Sequence, residues 1–98
     1  VAMSNDPQLL VLVSLARGTR HGYDIQRDIS EAFGMNLGPG TLYGAIARLE
    51  EKGLIRGAGP EGRRRPYELT AEGRVDLDRR LASLASVVDL GRTRLATS

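Results

Sequence analysis

Gly38-Pro39-Gly40-Thr41-Leu42-Tyr43-Gly44-Ala45-Ile46-Ala47-Arg48-Leu49-Glu50-Glu51-Lys52-Gly53 carries a helix start at one end and a helix stop at the other. Pro39 suits the first helical position, where its fixed φ is pre-organised and its missing N–H costs nothing. Gly53 suits the left-handed residue just past the end. Between them Leu42, Ile46 and Leu49 recur at i, i+4, i+7, which predicts one narrow apolar stripe. The other faces carry Thr41, Tyr43, Gly44, Ala47 and Arg48: short, cationic, or aromatic with a polar tip. A solvated helix usually carries long charges there. A helix that lies close against a surface keeps small residues and places hydrogen-bonding groups near its N-terminus. A recognition helix needs this, because its N-terminal part approaches base edges in the major groove.

The preceding segment predicts a partner helix from about Gly22 to Phe33, with Ile25, Ile29, Ala32 and Phe33 inward and Gly34 at its end. Residues 35–38 then form a short connection, so the two helices make a helix-turn-helix pattern. Further back, Asp6-Pro7 opens another helix, with Asp6 as N-cap and Pro7 at the first position. Leu9, Leu10, Val11, Leu12, Val13 and Leu15 follow almost without a polar break, and Gly18 closes it. A helix apolar nearly all round is covered on more than one side. The second cover is either a long C-terminal helix or another subunit. Residues 19–22 read as a turn. His21, the single histidine, reads as a cap or turn residue, with no second metal-ligand type suitably placed.

Beyond Gly53, Leu54-Ile55-Arg56 reads as a short strand, residues 57–62 as turn-forming, and Arg63-Arg64-Arg65-Pro66-Tyr67-Glu68-Leu69 as the returning strand. Such a Pro-bearing ribbon is an edge structure. Placed directly after a helix-turn-helix, it is a wing. Arg63, Arg64 and Arg65 at its tip are candidates to neutralise phosphates or enter a minor groove; on an isolated loop they would read as solvated charge. Arg56 either joins them or pairs with Glu68 across the ribbon.

Thr70 caps a long final helix with Glu72 in its first turn, and Gly73 reads as a weak spot. Leu77, Leu81, Leu84, Val88, Gly91 and Leu95 are then spaced 4, 3, 4, 3, 4, a heptad seam. Val87 and Leu90 lie beside it. Helical from Ala71 to Ala96, the element would be ~39 Å long. It exceeds what one small winged domain needs, so the seam is assigned to dimerisation, together with Leu9 and Leu12 of the first helix. The expected architecture is mainly α with a two-stranded β wing: a winged helix-turn-helix over residues 6–70, then a dimerisation helix over 71–98, one compact domain overall. Val1–Asn5 are left out of the fold argument.

The chain has 98 residues, a formal charge of +2, and thirteen Arg against one Lys. Cysteine is absent, which removes disulfides, thiolate metal sites and Cys nucleophiles. No signal peptide is visible and no apolar run approaches the ~18 residues of a membrane span, so a cytoplasmic protein without membrane association is expected. No nucleophile–base pair, carboxylate pair, metal motif or phosphate loop supports an enzyme, and no cofactor is implied.

The order and spacing of these landmarks resemble the PadR family of bacterial transcriptional regulators. The resemblance runs from Gln8 to Leu77. It rests on Leu15 followed by Gly18, His21-Gly22-Tyr23, Gly38-Pro39-Gly40-Thr41-Leu42-Tyr43, Arg48-Leu49-Glu50-Glu51-Lys52-Gly53-Leu54-Ile55, and Arg64 through Gly73. It implies a winged helix-turn-helix homodimer that binds a palindromic operator in double-stranded DNA, usually as a repressor, and is similar to the family's smaller, single C-terminal helix type. The recognition-helix candidates are Pro39, Gly40, Thr41, Tyr43, Gly44 and Arg48. Tyr43 has two readings, a phosphate or base contact, or packing on the second helix with its hydroxyl exposed. Tyr23 reads as core packing with a phosphate contact as a second role. Two departures stand out. Gly38 replaces a frequent Ser, so a side-chain N-cap is lost, and Gly44 replaces a frequent Pro, which would let the backbone approach DNA. Some relatives hold flat aromatic drugs between aromatic side chains at the dimer interface. The C-terminal helix here has no aromatic residue, so that ligand mode does not carry over; a small-molecule effector is left open but not indicated. The alternative is a winged-helix protein-interaction module without DNA binding.

Overall fold

The computed structural model describes residues 6–59 and 65–98. Asp6 caps the first helix, α1 (Pro7–Leu15), its carboxylate accepting from the amides of Gln8 and Leu9 at 3.0 and 3.4 Å. Leu9, Leu10, Val11, Leu12 and Leu15 are all buried, so α1 is the central rod of the domain. Around it stand α2 (Gly22–Phe33), α3 (Pro39–Glu51) and the long α4 (Ala71–Thr97). Ile25 and Ile29 of α2 and Leu42, Ala45, Ile46 and Leu49 of α3 close the core from two sides.

Ala32 and Phe33 do not join them. Both are exposed, against the expected inward stripe. Leu37 and, partly, Met35 from the connection that follows join the core. That connection is tied to α2, where Gln26 Nε2 donates to the Leu37 carbonyl at 2.7 Å and Ser30 donates to Asn36 at 3.0 Å.

The end of α3 is a Schellman motif. Gly53 sits at φ 73°, its amide donates to Glu50 O, and the Leu54 amide reaches back to Leu49 O, both at 3.0 Å. The wing strands are β1 (Ile55–Gly57) and β2 (Tyr67–Leu69), antiparallel with Ile55 opposite Leu69 and Gly57 opposite Tyr67. Ile55 and Leu69 are buried, which anchors the base of the ribbon in the core. Arg56 pairs with Glu68 at 3.3 Å, the second of its two readings. The turn between α1 and α2 is more than a turn. Arg20 exchanges both backbone hydrogen bonds with Tyr67, at 2.7 and 3.0 Å, and adds a one-residue third strand. A single bridging residue has no alternation, so periodicity does not reveal it.

Thr70 starts α4. Its hydroxyl accepts from the Gly73 amide at 3.0 Å and donates to the Gly53 carbonyl at 2.6 Å. Gly73 is a point of close approach and not the weak spot expected, because a Cβ there would overlap the Leu54 carbonyl oxygen. Leu77 is buried, Leu84 packs against the core, and α4 then runs on into solvent. Arg80 fastens the crossing of α4 over α1, with Asp76 at 2.7 Å and the capping Asp6 at 3.8 Å.

Gly73→Ala is therefore expected to destabilise the fold by about 1–3 kcal/mol through overpacking, despite the ~1 kcal/mol of helix propensity that Ala adds. Urea unfolding of the two proteins measures it. A stabilised variant would show that the close approach is not real.

Candidate nucleic-acid interface

The buried stripe of α3 fixes what its opposite side shows. Gly40, Gly44, Ala47 and Glu51, spaced 4, 3, 4, lie about 180° from Leu42, Ile46 and Leu49 at 100° per residue. The outermost ridge of the helix is thus three small residues followed by one carboxylate. Thr41 and Arg48 flank it on the side of the α1 N-terminus, beside Gln8 and Asp6. Tyr43 flanks it on the side of α2 and the wing. All of these positions are exposed, as are Pro39 and Gly40 at the helix start. Arg48 has no carboxylate partner among the described residues.

The glycines of this ridge have no internal explanation. Among the described residues, a Cβ at Gly40 or Gly44 would meet no atom within 4 Å. Gly in a helix interior costs about 1 kcal/mol relative to Ala, so Gly44 weakens α3 with no packing return inside the subunit. Gly38 provides no side-chain cap, as expected. The amides of Gly40 and Thr41 in the first turn are therefore free of a capping side chain, and the positive end of the helix dipole is open.

Tyr43 packs on the start of α2, the second of its two readings. Its ring lies against Gly22 so closely that a Cβ there would overlap the phenol, yet Tyr43 remains 49 % exposed. The space it borders is an open cleft of about 620 Å³ between the start of α2, α3 and β2, lined also by His21, Tyr23, Arg65 and Tyr67. His21 occupies the N-cap position of α2, but its ring makes no capping bond. Tyr23 is not a core residue. It is 66 % exposed, one position beyond buried Gly22, with the Arg27 guanidinium 5.7 Å from its ring centroid.

In the wing, Arg63 and Arg64 lie outside the described residues. Arg65 does not project from the tip. Its Nη2 donates to Glu50 Oε2 on α3 at 2.8 Å. Sequence reasoning missed Glu50 as a partner because the two residues are fifteen apart, and only the fold of the ribbon brings them together. Gly22 was visible only as a helix start. Its role as the seat of Tyr43 depends on how α2 and α3 cross.

The dimerisation candidates divide. Leu9, Leu12 and Leu77 are buried within the protomer's own core, Leu12 at 0 % exposure, because α4 crosses α1 of the same chain. They offer a partner no surface. Leu81, Val88, Gly91 and Leu95 are exposed along the free part of α4, with Leu84 half-buried where the seam enters the core. Val87 and Leu90 are exposed as well.

A sequence profile described as the transcriptional regulator PadR-like family matches residues 11–79. The chain belongs to the PadR-like family. Members are transcription regulators and not enzymes, and the fold agrees with theirs. A PadR family transcription regulator from Clostridium difficile R20291 superposes with a TM-score of 0.80 at 28 % identity, covering 91 % of this chain and 97 % of that one. A transcriptional regulator from Clostridium thermocellum gives 0.77 at 28 % identity, covering 89 % and 87 %. An uncharacterised 37.1 kDa protein in transposon Tn4556 of Streptomyces fradiae is 51 % identical over 82 residues, which is 84 % of this chain. The chain spans about a quarter of that relative's length, 24 %. Among the described residues, no helix is long and apolar enough to cross a membrane.

Proposed function

We propose that this PadR-like chain is a sequence-specific DNA-binding repressor that acts as a homodimer on a palindromic operator. The observation that carries the DNA contact is the outer ridge of α3. Gly40, Gly44 and Ala47 leave it nearly flat, and nothing among the described residues requires the two glycines to be small. A partner surface that approaches the backbone supplies the reason. The major groove admits a helix, and Thr41, Tyr43 and Arg48 then frame the base edges from both sides. Glu51 at the far end of the ridge repels phosphate, so contact belongs to the first two turns. Arg63 and Arg64 follow the neighbouring backbone or minor groove, with Tyr23 as an additional phosphate contact.

The partner is a second copy of this chain. The seam through Leu81, Leu84, Val88, Gly91 and Leu95 leaves aliphatic side chains in water along a helix that extends beyond its own subunit. Two-fold pairing of α4 covers them and places two α3 helices about one DNA turn apart, roughly 34–36 Å, which demands an operator of matching symmetry. Repression needs no further surface, since an occupied operator excludes other proteins from the same DNA. Such a regulator works where the bacterial chromosome is, in the cytoplasm. No small-molecule effector is indicated by the aliphatic seam.

The deciding experiment is selection of a duplex from a random-sequence pool by the wild-type chain, followed by anisotropy titration at several salt concentrations. A selected palindrome with salt-dependent affinity supports the reading; failure to enrich any sequence at low salt overturns it in favour of a protein-interaction module. Arg48→Ala is expected to weaken the selected complex by about 1–3 kcal/mol, with unchanged mass in light scattering. Gly44→Leu should raise the unfolding midpoint, because Leu is the better helix former, and yet lose most of the specific affinity. Retained affinity would mean that nothing approaches the ridge. Val88→Arg should halve the solution mass without unfolding the protomer, since this side chain touches no core residue. An unchanged mass would remove the α4 interface.

A further inference from the structure

Arg65 stands at the start of the wing's return, where a cation would be expected to reach DNA, but its guanidinium is turned back onto the recognition helix. Three contacts from three elements hold it there. Glu50 of α3 accepts from Nη2 at 2.8 Å, with both side chains 30 % exposed. The Tyr67 ring of β2 lies with its centroid 5.9 Å from the guanidinium carbon. Gly57 of β1 provides the space, since a Cβ there would overlap the guanidinium. The planar fork of Arg suits such a fixed position better than the mobile ammonium of Lys. Glu50 and Tyr43 are seven residues apart and so lie on one edge of α3, the edge that faces the wing.

We propose that Arg65 is a positioning residue. Through its ion pair with Glu50 it sets the angle between the wing and the recognition helix, and it acts on DNA affinity through that angle instead of by neutralising a phosphate. The inference rests on the DNA-binding reading above. The ribbon itself demands such a strut. Each strand has three residues, and an isolated two-stranded hairpin is marginal in water. Arg20 bridges to Tyr67 at one edge of the ribbon. The Arg65–Glu50 pair ties the same ribbon to α3 at the residue that leads into β2. A wing held in place before DNA arrives avoids the entropy of ordering it on binding.

Two variants separate the roles, Arg65→Gln and Glu50→Gln, made singly and together in the full chain. Binding is titrated against the duplex selected by the wild type, across a salt series. Hydrogen exchange of the Ala58 and Tyr67 amides is followed without DNA; these donate to Pro66 O and Arg20 O, each at 2.7 Å. A strut predicts that each single variant loses about fivefold in affinity, the scale of one typical net hydrogen bond. The double variant should lose no more than either single one. The slope of log K against log salt should stay at the wild-type value, and both amides should exchange faster in every variant. Loss of affinity on removing a carboxylate from a DNA-facing helix would run against simple electrostatics, which makes Glu50→Gln the sharper arm. A phosphate ligand predicts the opposite: Arg65→Gln lowers the slope by ~0.9, while Glu50→Gln keeps or raises affinity. That pattern overturns the proposal. If the wild type selects no duplex, the DNA-binding reading fails by itself. Exchange then decides, with faster amides in both single variants upholding the strut and unchanged amides removing it.

Discussion

The Thr70 hydroxyl accepts a hydrogen bond from the Gly73 amide and donates one to the Gly53 carbonyl, while its own amide donates to Leu54 O at 3.1 Å. One residue thereby joins the end of α3, the entrance to β1 and the start of α4. Gly73 brings the α4 backbone against the Leu54 carbonyl, a contact that any side chain at this position would prevent. The Gly53 carbonyl lies just past a helix end, where backbone acceptors lack helical partners. The joint gives these backbone groups partners, and it fixes the direction of α4 relative to α3. In the proposed dimer this is the mechanical link of the protein. The seam on α4 sets how two subunits sit, and the joint passes that geometry to the recognition helices with little slack. An agent that favours one angle between paired α4 helices would shift the fit to both half-sites, in proportion to its difference in affinity for the two geometries.

What could be read from the chain beforehand follows the range of the interactions. Helix ends are local, so Asp6-Pro7, Gly38-Pro39, Gly53 and Thr70 gave boundaries that the fold reproduces within a residue or two. The stripe of α3 is also local, and Leu42, Ile46 and Leu49 are all buried. Errors arose where a neighbour decides. Ala32 and Phe33 continue the α2 periodicity but are exposed, while Leu37 and, partly, Met35 from the next segment enter the core. Leu12 looked like surplus apolar surface, but the elements packed round α1 within the same chain bury it completely. Gly73 looked like a helix defect because the Leu54 carbonyl is nineteen residues away in sequence. Arg65 looked like a free cation because Glu50 is fifteen away. At the interface, the identity of the α3 ridge was legible and the seat of Tyr43 on Gly22 was not.

The charge distribution bears on how such a domain could hold DNA. The formal charge is only +2. Arg27, Arg56, Arg65, Arg79 and Arg80 each lie within 4.0 Å of a carboxylate of the same subunit. Counterion release scales with the number of phosphates neutralised, so one half-site engages few of them and binds weakly alone. A recognition helix whose outer ridge is Gly40, Gly44 and Ala47 also offers few side chains for base readout. Both shortfalls are met by the same device. In the proposed dimer, joining two subunits through α4 would make the second half-site contact intramolecular, and two weak engagements would then combine into one strong one. Specificity rises with it, because a sequence must satisfy both ridges at a fixed spacing. On this argument the aliphatic seam of α4 is as much a part of DNA recognition as Arg48. In the proposed dimer the modest charge would be an advantage, since it would keep non-specific binding low while two-fold symmetry selects the operator.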